Sequence, residues 1–88
     1  MTSPSRPTDP AAIRFEVLAG LQRIAPEADL ASLDETEDLR RALEIDSFDF
    51  LRLLTGLQER LGVDFPEADY GQLMTLSALV KYIATKTV

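Results

Sequence analysis

A lone serine lies between two aspartates in the stretch EIDSFDFLRLL, at residues 44 to 54, just ahead of an apolar helical pattern. Its hydroxyl could act as a nucleophile, cap the helix, or accept a group from another enzyme. A serine nucleophile needs a base to take its proton, but the chain has no histidine, and its two lysines, Lys81 and Lys86, lie in the last predicted helix. The sequence therefore predicts no catalytic residue and argues against self-contained serine hydrolysis.

Two interpretations of this stretch stay open on spacing alone. In the first, Asp46 caps the following helix, and Asp49, three residues on, points back as a variant of the capping box. In the second, Ser47 is exposed at the helix tip, where the two carboxylates meet a basic partner that brings its own catalytic groups. Helical periodicity fits both.

Composition and charge exclude several other functions. A net charge of −6 argues against nucleic acid as a partner, because phosphate binding requires clustered Lys and Arg. The absence of cysteine leaves no disulfide or Cys/His zinc site and suits a reducing cytoplasm. A calcium loop laid from Asp34 fails, because Leu39 stands where glycine is required and Ile45 where a bidentate glutamate is required. No metal site, signal peptide or membrane insertion is predicted.

The spacing of apolar residues predicts three main helices. Residues 1–9, rich in Pro, Ser and Thr, are expected to be a disordered leader, followed by a single domain over residues 10–86. The first helix begins at Pro10 behind the cap Asp9 and ends near Pro26, with the apolar stripe Ile13, Val17, Leu21 and Ile24. The second helix runs from Ser47 to about Leu61, just before Gly62, and its buried side is Phe50, Leu53, Leu54, Leu57 and Leu61.

The remaining segments are predicted to cover this helical core. The long connection from Glu27 to Ile45 carries isolated leucines at 30, 33, 39 and 43, so we expect it to fold back on the core, with a short helical turn through LRRAL. DFPEADYGQL predicts a turn and a short helix interrupted by Gly71. The last helix is expected to begin near Thr75 or Ser77 and to bury Leu76, Leu79, Val80 and Ile83. No run alternates as a strand would, so the predicted fold is an all-α, small four-helix bundle with a long loop between helices 1 and 2.

The segment IDSFDFLRLL resembles the Asp-Ser-Leu-Asp motif of acyl carrier proteins. Downstream, LGVDFP is similar to the segment after the second helix of that family, YGQLMTL to its short third helix, and TLSALVKYI to its final helix. The likeness covers about residues 10 to 85 and is loosest in the first helix and the loop. It departs from the family at Phe48, where leucine or methionine is common, at Glu44, where glycine is frequent, and at DLRRALEI, which lengthens the approach to the serine.

The resemblance implies a non-catalytic carrier. A phosphopantetheinyl transferase would attach 4'-phosphopantetheine from coenzyme A to Ser47, and the thiol of that arm would hold acyl or aminoacyl intermediates as thioesters. The chain, a cytoplasmic monomer, would then shuttle between a loading ligase and a downstream acyl-transferring enzyme. Its expected partner-binding residues are Asp46, Phe48, Asp49, Leu51, Arg52 and Thr55. Alternatively, Phe48 is buried, Leu51 only packs the helix, and Arg52 is merely solvated.

Charge is distributed unevenly along this region. Residues 27–46 carry eight acidic residues against Arg40 and Arg41, a net of −6, whereas the two acids and two arginines of residues 47–61 balance. This favours a basic partner that reads the loop and helix tip, and a dedicated carrier rather than one for general fatty-acid synthesis. Two other classes stay open: an unmodified docking module that regulates or scaffolds a partner enzyme, and a small helical protein whose resemblance is accidental and whose Ser47 is a cap.

Overall fold

The computed structural model describes residues 9–86, so the predicted leader lies outside the described residues except for Asp9. The described chain is all-α, as the sequence predicts. Its helices are α1 (Pro10–Ile24), α2 (Leu39–Leu43), α3 (Ser47–Leu61) and α4 (Leu76–Lys86), with 3₁₀ segments at Leu30–Ser32 and Glu67–Gln72. The predicted second helix is therefore α3. None of the helices within residues 9–86 is long and apolar enough to cross a membrane.

Local capping sets the ends of the helices. The Asp9 side chain accepts a hydrogen bond from the Ala11 N–H at 3.1 Å, and Pro10 occupies the first turn of α1, where its missing N–H costs nothing. At the other end of α3, Gly62 adopts the left-handed conformation with φ 68°, which a glycine accepts without steric cost. Both boundaries confirm the sequence-based predictions.

The core lies where α1 packs against α3 and α4. The predicted apolar sides of the helices meet there. Val63 and Phe65, between α3 and the second 3₁₀ segment, join them, together with Leu39 of α2 and Leu73 just before α4. The core residues are Ile13, Val17, Leu21, Leu39, Phe50, Leu53, Leu54, Leu57, Leu61, Val63, Phe65, Leu73, Leu76, Leu79 and Ile83. At the α1–α3 contact, a Cβ on Gly20 would lie 2.9 Å from Leu53 Cδ1, so the missing side chain is what allows this close approach.

The long connection between α1 and α3 folds back on the core, as expected from its leucines. Leu39 is fully buried, while Leu30, Leu33 and Leu43 are partly buried against the core. Backbone hydrogen bonds tie the connection to the start of α4: Leu39 N–H donates to the Met74 carbonyl at 2.7 Å, and Ser77 N–H donates to the Glu35 carbonyl at 3.0 Å. The LRRAL turn, α2, is therefore held in a fixed place beside the beginning of α3.

Three details of the prediction are wrong. The short helix is not interrupted at Gly71, because the 3₁₀ segment runs unbroken from Glu67 to Gln72. Tertiary contacts support it: the Tyr82 hydroxyl donates to Asp69 Oδ2 at 2.8 Å. Val80, which the sequence predicts to be buried, is only partly buried against the core. A 3₁₀ turn at Leu30–Ser32 is an additional element.

Candidate functional site

The start of α3 assigns the capping role to Asp46. Its side chain accepts a hydrogen bond from the Asp49 N–H at 2.9 Å, which satisfies one of the free donors at the helix N-terminus. Asp49 does not return the bond of a full capping box within residues 9–86, because its carboxylate faces Arg52 at 3.7 Å. The capping interpretation is thus right for Asp46 and wrong for Asp49.

Ser47 occupies the first helical position and is exposed. Among the residues that the structure describes, its hydroxyl has no hydrogen-bond partner. A serine that capped the helix would instead accept a bond from a backbone N–H of the first turn. The Ser47 hydroxyl is therefore available to an incoming reagent, and the two interpretations of this stretch hold together: Asp46 caps, and Ser47 is presented.

A surface hollow of about 380 Å³ opens beside Ser47, between α2 and α3. We call it the arginine hollow; its lining residues are Asp38, Arg40, Arg41, Ile45, Asp46 and Ser47. Glu44 caps the C-terminal end of α2, just before the residues Ile45–Ser47 of the hollow, and adopts the left-handed conformation with φ 55°. That conformation costs a residue with a Cβ about 1 kcal/mol, which explains why glycine would suit this position.

The predicted partner-binding residues of α3 form one exposed stripe. Phe48 is 77% exposed and Leu51 is 38% exposed, so the alternative that Phe48 is a buried packing residue is wrong. Arg52 and Thr55 are also exposed. Because Leu51 and Arg52 each lie three or four positions from both Phe48 and Thr55, the four residues share one face of the helix, close to its Ser47 end.

A second hollow, of about 650 Å³, lies on the other side of the helix tip. This acidic hollow has six carboxylates in its wall and no basic residue: Glu27, Asp29, Asp34, Glu37, Glu44 and Asp49. Its apolar lining includes Ile24, Leu33, Leu43 and Ile45. The fold therefore gathers the acidic loop at the Ser47 end of the bundle, although within residues 9–86 the acidic side chains form no group that could hold a metal ion.

Hydrogen bonds lower the pKa of two loop carboxylates, Asp38 and Asp34. The Arg40 side chain, which lies 3.4 Å from Asp38, lowers the pKa of Asp38 below its usual value and outweighs the opposing effect of desolvation. The Thr36 backbone N–H and hydroxyl likewise lower the pKa of Asp34. Asp38 also accepts a hydrogen bond from the Arg40 N–H at 2.9 Å, so this charged carboxylate caps α2.

Sequence reasoning missed the position of Arg40 and Arg41 beside the serine. The sequence shows both residues within an otherwise acidic loop, where they count only as a partial balance of its charge. The signal that could have found them is the LRRAL turn itself, since a helical turn that ends four residues before Ser47 must bring its side chains close to the hydroxyl.

Comparison of the sequence with known proteins finds the following matches. Residues 16–83 match the model of the phosphopantetheine attachment site family. The chain is 32% identical over 75 residues to an acyl carrier protein of Rubrobacter xylanophilus, covering 80% of this chain and 90% of that protein. It is 34% identical over 77 residues to an acyl carrier protein of Renibacterium salmoninarum, with the same coverage of both chains.

Proposed function

The chain belongs to the acyl carrier protein family, whose prosthetic group is a covalently attached 4'-phosphopantetheine, and we propose that Ser47 is the residue that carries this group. The observation that supports the assignment is the exposed and unpartnered hydroxyl of Ser47 within the described chain, beside an aspartate that already caps the helix. Ser47 also stands where the family motif has its modified serine.

The surroundings of Ser47 fit a phosphate ester. The hydroxyl is exposed, the arginine hollow offers space next to it, and Arg40 and Arg41 supply positive charge in the wall of that hollow. A bulky group on Ser47 would extend into solvent, because Ser47 is exposed at the first position of α3 and the buried residues of this helix begin only at Phe50. Attachment is therefore compatible with the packed fold.

The chain's own chemical contribution is the Ser47 oxygen. We propose that a phosphopantetheinyl transferase supplies Mg²⁺ and the base that removes the Oγ proton. The oxygen then attacks the β-phosphate of coenzyme A, forming a Ser–O–P bond and releasing adenosine 3',5'-bisphosphate. The attached group supplies a terminal thiol that holds an acyl or aminoacyl intermediate as a thioester. The carrier raises the effective concentration of that intermediate at each partner enzyme.

Partner recognition is proposed to use two surfaces beside Ser47. The exposed stripe of Phe48, Leu51, Arg52 and Thr55 offers an apolar contact face with one cation. The acidic hollow offers carboxylates to a basic partner and steers its approach over a distance of about 8 to 10 Å at ordinary salt. Because α3 itself is electrically balanced, the loop supplies most of this attraction. Asp46 and Asp49 add charge at the tip.

The experiment is intact-mass analysis after incubation with coenzyme A, Mg²⁺ and a broad-specificity transferase. We expect wild type to gain the mass of one phosphopantetheine and Ser47→Ala to gain none. Ser77→Ala is the matched control, because Ser77 is another exposed serine in the first turn of a helix, and it should be modified like wild type. Modification of Ser47→Ala would show that another residue carries the group.

The alternative is an unmodified docking module that regulates or scaffolds a partner enzyme. The observation that favours it is the acidic hollow, which could bind a basic partner without any prosthetic group. If neither the broad transferase nor an extract of the native host modifies the protein, the carrier proposal fails and the docking module takes its place. Residues 10–86 are proposed to form the carrier domain in either case.

A further inference from the structure

The arginine hollow has a feature that the attachment of a group to Ser47 does not require. Two consecutive arginines of α2 face the same space as the Ser47 hydroxyl. Because Ser47 itself lines this hollow, a phosphate esterified to its Oγ would lie at the wall of the hollow. Its position relative to Arg40 and Arg41 therefore depends on the fold of the chain and not on a partner enzyme.

The two arginines differ in availability. Arg40 lies against Asp38, with Nη2 and Nε at 3.4 and 3.5 Å from the two carboxylate oxygens. Arg41 is exposed and has no ion pair among the described residues. Arg41 is thus the cation of the hollow that remains free to bind an anion, and a guanidinium binds phosphate oxygens in a bidentate manner.

Electrostatics favour a cation at this place. A phosphodiester on Ser47 carries one negative charge and lies beside Asp46, whose carboxylate is fixed as the cap of α3. Asp49 adds a further negative charge in the first turn, only partly offset by Arg52 at 3.7 Å. A third anion in this position is destabilised unless a positive charge comes close to it.

The backbone that carries Arg41 is held in place. Leu39, two residues earlier, is fully buried and bonded to the Met74 carbonyl, and the Ile45 N–H donates to the Arg40 carbonyl at 3.0 Å just after α2. Ile45, also in the wall, offers an apolar surface to the branched dimethyl carbon that follows the phosphate in the arm. The hollow therefore combines a cation for the phosphate with an apolar wall for the dimethyl group.

We propose that the arginine hollow is a binding site for the base of the phosphopantetheine arm, with Arg41 as the positioning residue that pairs with the phosphodiester. This inference rests on the proposed attachment to Ser47. It gives the arm a resting place against α2, on the side of Ser47 away from the acidic hollow. The arm leaves that place when a partner competes for the phosphate or for Arg41.

The test compares modified and unmodified protein in wild type, Arg41→Gln and Arg41→Lys. Intact mass first confirms that each variant carries the group, so failure of the attachment is seen separately from failure of this inference. We then measure the ³¹P resonance of the phosphodiester, the side-chain Nε–Hε resonance of Arg41, and the difference in Tm between the modified and unmodified forms at low and high salt. Lys81→Gln, which removes one exposed positive charge from α4, is the matched control.

In wild type and Lys81→Gln, we expect modification to shift the Arg41 resonance. Relative to these proteins, modified Arg41→Gln should have an altered ³¹P shift. The Tm of its modified form minus that of its unmodified form should be lower than in wild type, and high salt should reduce this gap between variant and wild type. Arg41→Lys should fall between, because it keeps the charge and loses the bidentate geometry. An unchanged Arg41 resonance, together with equal Tm differences in Arg41→Gln and wild type, would overturn the inference.

Discussion

Replacement of Asp46 by alanine should destabilise the protein, whereas replacement of the adjacent Ser47 should not. The Asp46 carboxylate accepts the Asp49 N–H at 2.9 Å, and loss of such a cap costs about 0.5–2 kcal/mol of unfolding free energy. Ser47 has no hydrogen bond to lose within the described chain, and alanine is the better helix former by about 0.5 kcal/mol. The two neighbouring variants should therefore differ by about 1 to 2.5 kcal/mol.

Chemical and thermal unfolding measure this difference directly. For a domain of this size, 1 kcal/mol corresponds to about 4–8 °C in Tm, so Asp46→Ala should melt several degrees below wild type. Ser47→Ala should melt at or slightly above wild type. Asp46→Asn is the matched control, because asparagine caps about as well as aspartate without its charge. Equal unfolding slopes with denaturant would show that the denatured states are comparable.

The reasoning is refuted if Ser47→Ala loses as much stability as Asp46→Ala. That result would mean that the serine hydroxyl, and not the Asp46 carboxylate, caps α3. It would also remove the observation that supports Ser47 as the attachment residue. A loss in Asp46→Asn as large as in Asp46→Ala would instead show that the charge at the helix N-terminus, rather than the hydrogen bond, supplies the stability.

Three further predictions follow from other parts of the fold. Gly56→Ala should raise the unfolding free energy by about 0.5–1 kcal/mol, because α3 gains helix propensity and the new Cβ would meet nothing within 4 Å beyond its own stretch of helix. Gly20→Ala should gain less, because its Cβ would meet a methyl group of Leu53 at 2.9 Å, and equal gains in denaturant unfolding would contradict this. Desolvation and the hydrogen bond to Asp69 raise the pKa of Tyr82 to about 12. The stabilisation of the folded state by this hydroxyl is therefore complete below pH 10 and should fall as the pH rises toward 12. A spectrophotometric titration should show a tyrosine that ionises near pH 12, and persistence of that transition in Tyr82→Phe would refute the assignment. Phe48→Ala should change the unfolding free energy by no more than about 0.5 kcal/mol, or about 2–4 °C in Tm, because the ring is 77% exposed. It should nevertheless lower kcat/KM for the transferase, and an unchanged kcat/KM would remove Phe48 from the proposed contact face.

The candidate site could be predicted from sequence to the extent that its interactions are local. The Asp46 cap spans three residues, and the apolar spacing from Phe50 to Leu61 repeats with the period of one helix. The resemblance of IDSFDFLRLL to the carrier motif picks out Ser47, but spacing alone fits both a cap and a presented hydroxyl. The structure separates these two interpretations, because it shows that the Asp46 carboxylate, and not the Ser47 hydroxyl, accepts a hydrogen bond from the first turn of α3.

The features that could not be predicted depend on contacts between distant parts of the chain. Gly71 suggests a break in the short helix, yet Asp69 is bonded to Tyr82 of α4 and the segment stays continuous. Arg41 is one of two cations in an acidic loop; the LRRAL turn indicates that it lies near Ser47, but no local pattern indicates that the two residues line one hollow. Its place is set by the bond from Leu39 to the Met74 carbonyl, which no periodic pattern specifies.

The sequence by itself determined the all-α class, the ends of α1 and α3, and the presence of a serine suited to modification. These depend on interactions between residues at most a few positions apart, and such interactions are repeated or capped in the chain itself. Only the tertiary structure decided where the long connection lies, and with it the arginine hollow on one side of Ser47 and the acidic hollow on the other. The physical reason is that the leucines of this connection pack against a core built from α1, α3 and α4, which lie far apart in the sequence.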